Sequence, residues 1–197
     1  MKEIISSSGI RGLAISEISP EFCMKIGLAI SNIKKGEYVI GHDVRLTSYL
    51  LANSLVNGIC AGGSNSIFIG LAPTPAIAFY ARDYTGGIAI TASHNPPEYN
   101  GLKIFNKDGI PVTSSFYKNL LEIPINYSNW DSLGNVKNFH GIYEYIEFLI
   151  SQINTKRKWR IGLDPGNGTT SLTAPLIFHN VGHEVKTINI NLDGRFP

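Results

Sequence analysis

Apolar positions follow two rhythms along the chain, and their alternation predicts the elements. Short apolar runs at residues 38–41, 66–70, 87–90, 102–105 and 159–163 have the length and β-branched content of buried strands. Between them apolar residues recur at helical steps. Phe22, Ile26, Ala29 and Ile33 predict a helix opened by Ser19-Pro20-Glu21, which offers a cap, a proline at the first position and an early acid, and closed at Gly36. Leu51, Leu55 and Ile59 predict a second, from Thr47 or Ser48 to a left-handed stop at Gly62-Gly63. Pro73-Thr74-Pro75 starts a short helix through Ile77 and Tyr80, and another runs over 114–121. Phe139, Ile142, Tyr143, Ile146, Leu149, Ile150 and Ile153 mark the clearest amphipathic helix, and Asp164-Pro165-Gly166-Asn167-Gly168-Thr169-Thr170 introduces one reaching about Asn180. Residues 6–12 read as a small-residue loop carrying one arginine, and 122–138, rich in Asn, Ser, Pro and Gly, as a surface connection.

Helix alternating with strand over this length predicts an α/β fold, a mixed, mainly parallel sheet layered between helices. The expected domains are 1–137, a connecting helix over 138–155, and an incomplete second α/β domain over 156–197, which is strand, helix, strand and close to the lower limit of about 40 residues for an independent fold.

Composition narrows the partners. Charged residues are 16% of the chain and the net charge is +2, with no long block of one sign, so neither nucleic acid nor an anionic membrane is an expected partner. The basic cluster Lys156-Arg157-Lys158-Trp159-Arg160 is short and leads into a strand, which favours a solvated turn. Cys23 and Cys60 are isolated and read as buried thiols of a reducing cytosol. No signal-length apolar core opens the chain and no run of about 18 apolar residues occurs, so a cytoplasmic location is expected.

The candidate chemistry lies at Thr91-Ala92-Ser93-His94-Asn95-Pro96-Pro97-Glu98-Tyr99-Asn100-Gly101-Leu102-Lys103. Two prolines fix φ, and Asn100-Gly101 is a pair suited to positive φ, so the loop should be rigid and present a hydroxyl. It reads either as a stiffened connector or as a site for nucleophilic or phosphoryl-transfer chemistry. A serine hydrolase is disfavoured: on extended backbone the side chains of Ser93 and His94 diverge, and no Gly-x-Ser-x-Gly elbow surrounds the serine.

This string resembles the active-site loop of the α-D-phosphohexomutases, the phosphoglucomutase, phosphomannomutase and phosphoglucosamine mutase family, whose serine is carried as a phosphoserine. Ser7-Ser8-Gly9-Ile10-Arg11-Gly12 resembles that family's N-terminal Thr-Ser-Gly-Ile-Arg-Gly motif, with Ser7 in place of threonine. His42-Asp43-Val44-Arg45 is similar to the family's Arg-Asp-x-Arg, with His42 replacing the first arginine; a structural Asp43–Arg45 ion pair and a functional arginine both remain open. The resemblance implies catalytic roles for Ser93, Lys103, Arg11 and His94, phosphate or substrate binding by Ser8, Arg45 and Asn95, and Mg²⁺ bound through the phosphate on Ser93. It implies interconversion of hexose 1- and 6-phosphates (glucose, mannose or glucosamine) through a bisphosphorylated sugar, with Lys103 helping to move a proton. The family's Asp-Gly-Asp-x-Asp-Arg metal loop does not occur here, since Asp193-Gly194-Arg195 has one acid and no following Asp-x-Asp. The chain is therefore expected to be an N-terminal piece of a longer mutase, with its partner domains missing and inactive alone. The alternative is a non-catalytic phosphosugar- or partner-binding module.

Overall fold

The computed structural model describes residues 5–6 and 8–197, so the expectation placed on the Ser7 hydroxyl lies outside the described residues. A seven-stranded sheet runs in the order β1 (Ile5–Ser6), β2 (Gly9–Leu13), β6 (Tyr99–Asn106), β5 (Gly86–Ile90), β3 (Glu37–His42), β4 (Asn65–Leu71) and β7 (Val136–Asn138). Its β5-β3-β4-β7 half is parallel; β6 is antiparallel to both β5 and β2, and β1 closes the edge antiparallel to β2. Five strands thus share one direction, and β1 and β6 oppose it.

Helices α1 (Pro20–Ile33), α2 (Ser48–Ala61) and α4 (Ser114–Glu122) cover one face, while α3 (Thr74–Ala81) and α5 (Ile142–Gln152) cover the other. The strand period sorts side chains between the two cores: Tyr38, Ile40, Ile88, Ile90, Leu102 and Ile104 go to the first, Val39, Ala89 and Phe105 to the second. Burial on both faces explains why the central strands read as continuous apolar runs.

Local signals set most helix ends. The Ser19 hydroxyl accepts from the Phe22 amide at 3.0 Å to cap α1, and Gly63, at φ +86°, follows α2 in the left-handed stop. Gly36 does not end α1, whose cap is Lys34. The buried face of α1 is Cys23, Ile26, Ala29 and Ile30, and Ile33 is exposed. In α5, Tyr145 and Ile146 are buried while Tyr143 and Ile153 face solvent, because α5 lays Phe148 and Tyr145 against Phe79 of α3.

Two segments read as loops are strands. Residues 5–6 and 9–13 pair as β1 and β2 at the sheet edge, and 136–138 pair with β4. Neither has an apolar alternation long enough to register.

After α5, β8 (Arg160–Leu163) pairs in parallel with β9 (Glu184–Thr187) through a 3₁₀ turn (Thr169–Leu172) and α6 (Ala174–Asn180). The single helix expected there is split at Thr173, and Pro175 lies in the first turn of α6, where its missing N–H costs no helical bond. No helix among the described residues is long and apolar enough to cross a membrane.

Candidate active site

Ser93 lies just beyond the carboxyl end of β5, the edge at which open α/β sheets take ligands. Its φ is +57°, in the left-handed region that costs a non-glycine residue about 1 kcal/mol or more. Its surroundings hold it there. The Ser93 amide donates to Thr91 Oγ1 at 3.0 Å, and its carbonyl accepts from Arg45 at 3.0 Å. With both backbone groups fixed, the side chain is left exposed.

Arg45 is 2% exposed and all five of its N–H donors find partners. Nε donates to Asp43 Oδ2 (3.1 Å), one terminal nitrogen to the Pro96 and Tyr99 carbonyls (2.6 and 2.9 Å), and the other to the Ser93 and Asn95 carbonyls (3.0 and 2.7 Å). Asp43 also accepts from the hydroxyls of Thr91 (2.7 Å) and Ser48 (2.5 Å). Every donor of the arginine expected to bind phosphate is thus engaged by Asp43 and the serine loop.

Asn100 and Gly101 are strand residues with ordinary φ, contrary to the turn expected of them. Asn100 is buried and donates to the hydroxyls of Thr47 and Ser48, both at 2.9 Å, tying β6 to the start of α2. Gly101 is needed for close approach instead, because a Cβ there would overlap the Ile10 carbonyl of β2.

The left-handed turn at Ser93 also undoes the divergence expected of its neighbour. Ser93 Oγ and His94 Nδ1 are 3.4 Å apart, a long hydrogen bond, and both side chains are exposed. Among the described residues nothing orients the other ring nitrogen, so the third member of a hydrolase triad is lacking.

Arg11 pairs with Gly101 across β2 and β6, and Lys103 follows Gly101 by two positions. Both cations therefore project from one face at one corner of the sheet, and the Thr91 amide bonds the Gly101 carbonyl at 2.9 Å, starting the serine loop at that corner. Burial, then the nearby Arg45 charge, pushes the Arg11 pKa below its ordinary value. Arg11 reaches the Ser8 carbonyl at 3.4 Å, and Lys103 Nζ stands 5.6 Å from the Phe105 ring centre. Among the described residues neither cation hydrogen-bonds Ser93.

Two adjoining clefts, of about 310 and 500 Å³, meet at Ser93 and His94. Arg45 and Asn95 line the second, whereas Arg11, Lys103 and Ser8 line neither. The far wall comes from residues beyond α5. Gly168, Thr169, Thr170 and Phe196 face the serine across the first cleft, and the Phe196 ring lies 5.0 Å from the Arg45 guanidinium carbon. The glycine-rich turn that introduces the helix is thus also a wall. The Asp164 carboxylate accepts from Asn189 Nδ2 at 3.0 Å, and Asn167 Nδ2 donates to the Asn191 carbonyl at 2.8 Å. Sequence reading had no signal for these walls, which stand more than 70 positions from Ser93.

The expected magnesium does not fit this chain's own donors. Among the described residues no three His, Cys, Asp or Glu side chains cluster to hold a metal, and both Asp43 oxygens are engaged.

Comparison with known proteins adds to this geometry. Residues 2–129 match the family model for phosphoglucomutase/phosphomannomutase, alpha/beta/alpha domain I. A phosphoglucosamine mutase of Methanocaldococcus jannaschii is 35% identical over 100% of this chain and 44% of its own length. A phosphopentomutase of Thermococcus kodakarensis is 34% identical over 98% of this chain and 44% of its own length. The crystal structure of a phosphoglucomutase/phosphomannomutase family protein from Burkholderia thailandensis superposes with a TM-score of 0.85 at 25% identity, covering 98% of this chain and 45% of that one. The chain thus spans a little under half the length of these relatives.

Proposed function

The chain belongs to the phosphoglucomutase/phosphomannomutase family, and on that premise we propose that Ser93 is the phosphoryl carrier in the interconversion of sugar phosphates. The observation that carries this reading is a strained serine whose amide and carbonyl are both anchored while its hydroxyl, in long contact with His94, stands exposed in a cleft. A carrier needs its reacting oxygen fixed in line, because phosphoryl transfer leaves a protein little to do besides positioning and stabilising charge.

In the proposed step the Ser93 Oγ–P bond breaks as a bond forms from phosphorus to a hydroxyl of the bound sugar phosphate. The hydroxyl gives up its proton to solvent with the help of Lys103, and the product is a bisphosphorylated sugar. Turned round in the cleft, that sugar returns its other phosphoryl group to Ser93. Arg11 supplies charge-assisted donors to the phosphoryl oxygens, relieving its repulsion with Arg45, and His94 orients the group. This chain's share of a magnesium site is confined to the phosphoryl oxygens on Ser93, and no step is routed through the ion. The relatives' names span a hexosamine and a pentose, so the proposed substrate is a sugar phosphate, the hexose phosphates first. The 197 residues taken alone are expected to show no turnover.

The test uses the protein expressed from its complete reading frame and offered glucosamine, glucose, mannose and pentose phosphates. Interconversion of at least one, cut by about 10³-fold or more in Ser93→Ala, is the expected result. Turnover that survives Ser93→Ala would end the proposal. Labelling of Ser93 by a serine-acylating probe with no mutase activity would replace it with a hydrolase.

A further inference from the structure

The network beneath the serine contains a buried cation that does not touch the cleft's reacting hydroxyl. Arg45 has its charge met by Asp43 and its remaining four donors by carbonyls of residues 93, 95, 96 and 99, so one planar fork sets almost the whole serine loop. Asp43 in turn orients the fork and, through Thr91 Oγ1, the Ser93 amide. The pair therefore grips Ser93 by its carbonyl and its amide at once. The outer side of the fork is covered by the last residues of the chain. The Phe196 ring stacks at 5.0 Å, and Gly194 packs so closely on the backbone of Val44 and Arg45 that any Cβ would overlap it.

We infer that Arg45 is a positioning residue for phosphoryl transfer at Ser93, and that Phe196 completes its clamp by sealing the guanidinium from water. The inference rests on the phosphoryl-carrier reading and deepens it. A left-handed serine relaxes toward the common backbone regions once its carbonyl is released, and its hydroxyl then leaves the line of transfer. Lysine cannot substitute, since a compact ammonium with three donors cannot span four carbonyls and a carboxylate. Sealing matters because water competing for the fork weakens every one of its bonds to the loop.

The experiment compares wild type, Arg45→Lys, Arg45→Ala and Phe196→Ala of the protein expressed from its complete reading frame, with sugar phosphate as substrate. Measured are kcat, KM, melting temperature and phosphate on Ser93. Arg45→Lys is expected to lose about 100-fold in kcat with KM changed less than threefold, the signature of a misplaced but folded site. Phe196→Ala is expected to lose about tenfold in the same parameter. Guanidinium ion at low, non-denaturing millimolar concentration is expected to restore a saturable part of the Arg45→Ala rate. A purely structural residue would lower melting without that rescue. Should Arg45→Ala fail to fold, Arg45→Lys decides. Normal kcat in Arg45→Lys, a loss confined to KM, or a folded Arg45→Ala that guanidinium does not rescue would overturn the inference. Wild-type protein that cycles with no phosphate on Ser93 would instead remove the carrier reading beneath it.

Discussion

At the scale of single residues, the site depends on positions whose chemistry is dictated by space as much as by function. Gly101 lets β2 lie against β6 at Arg11, so Gly101→Ala is expected to destabilise the fold by about 1–3 kcal/mol and to move Arg11, although alanine suits a strand no worse than glycine. Urea unfolding would show the shift in midpoint, and an unchanged midpoint would mean the strands have slack. Burial pushes the Cys23 thiol from 9.0 up to about 12. Above pH 9 the unfolded chain releases a proton that the folded chain keeps, so stability is complete below that pH and falls as pH rises toward 12. Thermal melts from pH 8 upward should therefore slope down from pH 9, with Cys23→Ala flatter between 9 and 10, before tyrosines titrate in the unfolded chain; parallel curves would contradict the assignment. Individual side chains were legible in the sequence as chemical types, not as conformations. Ser93 and His94 were judged on extended backbone, but Ser93 is left-handed. Arg45 was open in one dimension between an ion pair with Asp43 and a functional cation, and in three its donors go to Asp43 and the serine loop.

At the scale of elements, caps and apolar runs carried most of the information. The Ser19 cap, the glycine stop after α2 and the two-sided burial of β3 and β5 each have a local cause, and their elements fall where the pattern places them. The β1–β2 hairpin and β7 have no such cause, since they are strands of two to five residues at the sheet's two margins, held there by β2 pairing with β6 and β7 with β4. Rotation of the α1 and α5 stripes likewise follows from packing partners. Where α1 crosses α2, a Cβ on Gly27 would overlap the Leu55 carbonyl and one on Gly58 the Met24 carbonyl. Gly58→Ala should thus lower the melting temperature, against the stabilisation of roughly 0.5–1 kcal/mol that alanine brings to an ordinary helix position. A higher melting temperature would show that the helices can part at little cost.

At the scale of the whole molecule, the serine loop leaves the parallel half-sheet that anchors it and faces residues 168–170 and Phe196 as its opposite wall. The α/β class and the serine were legible because each is written locally. The cleft was not, since its walls are joined only by folding. The described residues fix the Ser93 backbone, leave its side chain open to the cleft and give it no triad, which suits a phosphoryl carrier better than an acyl one. The most direct measurement is peptide mass mapping of the protein expressed from its complete reading frame, before and after exposure to its sugar phosphate. The account predicts an added phosphate confined to Ser93, which an excess of that sugar discharges. A peptide spanning Ser93 that stays unmodified while the sugar is turned over would contradict it.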